Sequence, residues 1–128
     1  MNLNLYLFLR DAHNLLSQVG LGVAILMFVI AIYIGLIRRG DVTRAFRRGT
    51  FVVLGLMVVE MLLGLTMYLM GFRPAEEVHL IYGLGATLAL PFFVYVEMTA
   101  RKRPAMGSYI WGFGLLAAII LRAIMTGA

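Results

Sequence analysis

Four apolar runs, at roughly residues 15 to 37, 49 to 71, 78 to 99 and 107 to 126, use up most of this chain and leave almost nothing for a soluble domain. Each run matches the ~20 residues that a helix rising ~1.5 Å per residue needs to cross a bilayer core. Of the 128 residues, 62% are hydrophobic and 13% charged, an apolar share well above that of soluble proteins. The expected fold is therefore all-α: one polytopic domain over residues 1 to 128, an antiparallel up-down four-helix transmembrane bundle with the lipid bilayer as its first partner.

A net charge of +5 would point to nucleic acid in a soluble protein, but here its placement decides. Arg38, Arg39, Arg44, Arg47 and Arg48 lie in the first connection, and Arg101, Lys102 and Arg103 in the third. By the positive-inside rule both connections are expected on the cytoplasmic side of a bacterial plasma membrane, with both termini and the Arg73 loop outside. Nucleic acid is accordingly no partner. The first connection, IRRGDVTRAFRRG, is expected to break at Gly40 and Gly49 and to meet anionic headgroups. Glu97 stands four residues before Arg101, the favourable order for an ion pair along one helix.

The N-terminal stretch MNLNLYLFLRDA either begins the first helix or lies along the outer interface. It has no cationic segment before its apolar run and no small-residue cleavage site after it, so the N-terminus is expected to be retained. The chain contains no cysteine, which excludes covalent haem attachment, iron–sulfur clusters and thiolate-bound zinc.

The most informative stretch is RPAEEVHLIYGLG, Arg73 to Gly85, which opens the third span with a histidine about one turn below its outer end. Pro74 is expected at a first helical position, with Glu76 and Glu77 in the first turn, where the helix dipole favours negative charge. His13 occupies nearly the same place in the first span, and these are the only two histidines. His13 precedes Arg38 by 25 residues and His79 precedes Arg101 by 22. At ~1.5 Å per residue they lie ~37 and ~33 Å from the inner connections, equal to within about one helical turn. In an up-down bundle the first and third helices run in the same direction and sit diagonally across the core, where facing side chains build cofactor sites.

Two neutral imidazoles can fill both axial positions of a haem. Small or polar residues continue below each histidine at helical spacing: Ser17, Gly20, Ala24, Ala31 and Gly35 in the first span, Gly83 and Ala86 in the third. Gly20 and Gly83 would leave room for a flat macrocycle. Arg10, Arg73 and Arg122 would lie near its propionates, because arginine is the side chain that pairs best with carboxylates. Arg122 is expected to point inward from a last-span face formed with Gly107, Trp111, Gly114 and Ala118, and Pro91 is expected to kink the third span. Glu60, in mid-span with Gly64, Met67 and Gly71 on its face, is a cofactor-side candidate: either a proton relay or quinone contact, or a protonated carboxyl bonded to a neighbouring helix. Against all this stands a plainer reading, in which the histidines are interfacial polar residues and the small residues serve packing alone.

The segments FLRDAHNLL and EEVHLIYG in a four-span chain resemble small bacterial four-helix membrane proteins of the b-type cytochrome kind. More distantly they resemble one half of haem A synthase, whose bundles hold haem between histidines on two parallel helices. VVEMLLGLTMYL, Val58 to Leu69, is similar to the span that follows the basic loop in that family, where Gln or Glu is expected at the position of Glu60. The chain departs from haem A synthase in size, in carrying its histidines on the first and third helices, and in having Asn14 after His13 and Leu80 after His79. The resemblance thus implies haem binding without haem modification.

The expectation is a membrane b-type cytochrome holding one bis-histidine haem b, with iron on His13 and His79, near the outer face for electron transfer. No catalytic residue is assigned. Its expected partners are a quinone or a redox protein at the outer face, and a larger membrane complex or further copies of itself. The alternative is a haem-free structural or accessory subunit of a respiratory or photosynthetic membrane complex. A channel or transporter built on Glu60 would call for broken helices or polar rings that the sequence lacks.

Overall fold

In lipid every backbone amide and carbonyl must be satisfied within the protein, and a long apolar sequence achieves this by closing its hydrogen bonds along a helix. The computed structural model describes residues 3–99 and 106–127. It comprises four helices: α1 Leu3–Ile32, continued by a π turn Tyr33–Ile37, α2 Arg44–Leu69, α3 Val78–Thr99 and α4 Met106–Gly127. All four are long and apolar enough to cross a membrane, and no strand occurs among the described residues. The protein is an all-α four-helix bundle.

Helix α1 packs on α2 and α4, and α3 packs on the same two, so α1 and α3 face each other across the diagonal. The seam between α2 and α3 is the loosest of the four. One end of the bundle carries both histidines; the other carries the arginines of the first connection and is called here the basic end.

Several boundaries differ from the sequence expectations for local physical reasons. Helix α1 begins at Leu3, so of the two readings of the N-terminal stretch the helical one holds, and residues 3 to 12 add about 15 Å to the helix. At its other end the turn widens: the Arg38 amide reaches the Tyr33 carbonyl at 2.9 Å, and a π turn results. Arg39 then takes a positive φ of 52° to reverse the chain. The connection breaks here and not at Gly49, which lies within α2. A side chain at Gly49 would meet the Met27 Cε at 3.0 Å, so this glycine serves the α1–α2 approach. Thr43 starts α2 by accepting the Phe46 amide at 3.1 Å. Pro74 lies ahead of α3, and Glu76 and Glu77 form its entry turn, their carbonyls accepting the amides of His79 and Leu80 at 3.0 and 3.1 Å. Pro91 sits inside α3 without ending it.

The core face of α4 also differs. Met106, Tyr109, Gly112, Phe113, Leu116 and Ile120 are buried, whereas Trp111 is 74% exposed and Ala118 and Arg122 also turn outward. Small residues mark contacts only where a neighbour fills the space. An added Cβ at Gly114 would stand 2.9 Å from the Phe28 ring, and one at Gly112 would stand 3.0 Å from the Phe93 Cβ. Phe46 meets Tyr109 and Phe113 edge to face, with ring centroids 5.2 and 5.7 Å apart, so the bulkiest packing gathers in the basic half.

Glu97 is paired with Arg47 of α2; the expected partner Arg101 lies, with Lys102 and Arg103, outside the described residues. The Glu97 side chain is only 3% exposed, and the Arg47 side chain is 52% exposed. A carboxylate this deeply buried takes the strongest donor within reach, here across the α2–α3 seam. Replacing Arg47 by Ala should leave that carboxylate uncompensated and cost about 2 kcal/mol, partly offset by water reaching the open side of the pair. Heat denaturation in detergent should show the lowered midpoint, and adding Glu97→Leu to Arg47→Ala should recover most of it.

Candidate functional site

Because α1 and α3 run in the same direction and their histidines stand at matching height, the two rings meet across the diagonal. Their centroids are 6.2 Å apart and their planes are inclined at 82°. They open into a cavity of about 730 Å³ at the histidine end, walled by all four helices. Its lining is mostly apolar, with Met57, Met61, Leu65, Met67 and Leu84 among its walls, and a few polar groups converge on it.

The Nδ1 sides of the two histidines face different neighbours. His79 Nδ1 lies 2.7 Å from the Ala123 carbonyl of α4, with the Thr126 hydroxyl at 3.4 Å. His13 Nδ1 lies 3.3 Å from Glu60 Oε2 of α2. That contact lacks the alignment of a hydrogen bond: His13 Nδ1 and Glu60 Oε1 are both buried without a hydrogen-bond partner. Ser17 Oγ stands 2.7 Å from Glu60 Oε2 and 2.7 Å from the His13 carbonyl, one hydroxyl proton serving two acceptors. Neither Nε2 has a hydrogen-bond partner among the described residues, and neither is sealed away from open space.

Two glycines make room for the rings. A Cβ at Gly64 would stand 3.3 Å from the His13 Cε1, and one at Gly127 would stand 2.7 Å from the His79 Cε1. Gly64 was visible in the sequence as the residue one turn beyond Glu60. Gly127 and the Ala123 carbonyl carried no such mark, since a backbone acceptor leaves no residue signature and the last turn of α4 reads as an ordinary helix end.

The sequence-predicted residues divide. His13, His79, Glu60, Gly83, Arg10 and Arg73 all line the cavity. No heavy atom outside its own helix lies within 4 Å of a Cβ built on Gly83. At the mouth, Arg10 pairs with Asp11 at 3.2 Å, while Arg73 lies 3.8 Å over the Tyr68 ring and donates to the Tyr68 and Phe72 carbonyls. Tyr6 and Phe72 stack there with centroids 3.6 Å apart. Gly20 and Arg122 are not in the cavity wall. Gly20 lies deeper, closed by Met57, whose Cε would stand 2.8 Å from an added Cβ. Arg122 lies three turns beyond exposed Trp111 on the outward face of α4, with its guanidinium 5.8 Å from the centre of the Tyr82 ring. It is exposed and does not line the cavity, where an inward orientation is the sequence expectation.

Metal–nitrogen bonds of about 2 Å and ring radii of about 1 Å place the centroids of two imidazoles sharing one metal about 6 Å apart, the separation seen here. Among the described residues no group of three or more histidine or acidic side chains is placed to hold a metal, so any ion here would rest on the imidazole pair alone.

Glu60 is poorly served as a structural residue, being buried with one oxygen unpartnered. Glu60→Leu should therefore leave the heat-denaturation midpoint in detergent unchanged or raised, within about 1 kcal/mol, because an apolar isostere avoids that desolvation cost. A large loss of stability would show that the carboxyl holds the bundle together. Comparison with protein families, curated proteins and solved structures returned no match.

Proposed function

We propose that the cavity holds one haem b between His13 and His79, which makes the chain a membrane b-type cytochrome for electron transfer. The observation that carries this reading is the 6.2 Å separation of the two rings across the diagonal of the bundle. The residues present fit the group: His79 Nδ1 is hydrogen-bonded to a carbonyl of α4, His13 Nδ1 lies beside a carboxyl of α2, both Nε2 atoms are without partners among the described residues, and the adjoining space is large and mostly apolar. An acceptor at Nδ1, as His79 has, leaves Nε2 free to ligate.

His13 and His79 would hold the haem iron. Arg10 and Arg73 at the mouth would exchange their present partners for the propionates, and Gly64 and Gly127 keep the space beside the rings clear. The bound haem supplies a reversible one-electron centre. The chain orients it, excludes water with methionine and leucine walls, and holds it toward the histidine end. The arginines of the first connection favour the cytoplasmic side for the basic end, so electrons would be exchanged near the outer face of a bacterial plasma membrane, with a quinone or a redox protein.

The test is the absorption spectrum of the purified protein, oxidised and then reduced with dithionite. Sharp reduced bands are expected, lost in both His13→Ala and His79→Ala. A colourless protein from haem-replete cells would overturn the reading and leave a haem-free accessory subunit as the better account.

A further inference from the structure

The two imidazoles have different supports. His79 Nδ1 meets a backbone carbonyl of α4 at 2.7 Å, whereas His13 Nδ1 stands 3.3 Å from a side-chain carboxyl of α2. Glu60 is 8% exposed, lies within a membrane-spanning helix and has one oxygen without a partner. Folding alone does not explain a carboxyl kept there, since an apolar residue would fill the place at less cost. Its other oxygen is tied down. Ser17, one turn below His13 on α1, bonds Glu60 Oε2 at 2.7 Å and bridges to the His13 carbonyl. Ser17 therefore fixes the carboxyl to the same turn of helix that carries the histidine.

From this geometry we infer that Glu60 is the positioning residue for His13, held by Ser17, and that it makes the two ligands of the bound haem unequal. The inference rests on the haem reading above. A carboxyl acceptor behind an imidazole orients the ring and makes it a stronger donor to iron than a carbonyl does. Stronger donation stabilises the ferric state. The His13 contact lacks hydrogen-bond alignment in the present arrangement, so Nδ1–H would have to turn onto Oε2 when the haem is bound. His79 Nδ1 is already bonded to its carbonyl.

The experiment is an equilibrium redox titration of the purified haem-loaded protein, followed in its absorption bands, for the wild type, Glu60→Gln, Glu60→Asp and Ser17→Ala. Glu60→Gln should keep the haem and its low-spin bands while raising the ratio of reduced to oxidised haem at a fixed ambient potential about tenfold, which for one electron is 59 mV. Ser17→Ala, which frees the carboxyl without removing it, should shift the ratio in the same direction by less, and Glu60→Asp should stay closest to the wild type. A purely structural role for Glu60 would change the amount of folded protein and leave the potential alone. Wild-type potentials in Glu60→Gln and Ser17→Ala would overturn the inference while leaving haem binding intact. If Glu60→Gln does not accumulate in the membrane, a wild-type potential in Ser17→Ala overturns it. A wild type that takes up no haem fails the underlying reading instead, so the two failures are distinguishable.

Discussion

The structure depends on how closely four helices can approach when lipid offers no hydrophobic drive to bring them together. Association then rests on van der Waals packing and on the few polar contacts that cross a seam. Phe28 against Gly114, Phe93 against Gly112 and Met27 against Gly49 are such approaches, each a large side chain lying where a glycine has none. They close α4 onto α1 and α3, and α1 onto α2. The α2–α3 seam has the sparsest packing and is fastened by the Arg47–Glu97 pair. That pair sits at the basic end, while the short connection 70–77 joins the two helices at the histidine end.

The consequence is a bundle with unequal halves. Phe46, Tyr109 and Phe113 fill the basic half, while the histidine half keeps an open cavity into which two imidazoles project. Unfilled space forfeits dispersion contacts, and a buried carboxyl oxygen without a partner adds its desolvation cost. Both costs fall at one end and around the same two rings. A flat apolar ligand with an electrophilic centre would recover both the missing contacts and the unused ring nitrogens. The haem proposal draws its support from this coincidence of empty volume, paired ligands and available nitrogens.

Much of this was legible in the chain itself. The four spans followed from run length, and the meeting of His13 with His79 followed from matching depth on two helices that run the same way. Glu60 could be assigned to the interior because a mid-span carboxyl has nowhere else to go. Where the structure differs from the sequence expectations, small residues are the common element. The spacing predicts a continuous inward stripe on α4, but there small residues pack singly against rings of neighbouring helices, and the remainder of that face, with Trp111, Ala118 and Arg122, looks outward. Gly20 likewise lies against Met57 and not in the cavity wall. The pairing of Glu97 with Arg47, fifty residues away, is a contact that local spacing cannot supply. Backbone acceptors such as the Ala123 carbonyl leave no trace in residue identity at all.

Electron paramagnetic resonance of the oxidised protein tests the central claim, that one iron is shared by these two rings, most directly. Imidazole planes that stayed near the 82° seen here would leave the two d orbitals of π symmetry on a shared iron nearly equal in energy. The account therefore predicts a low-spin ferric signal of strong anisotropy. A high-spin signal, or none from protein whose haem content has been established, would contradict it.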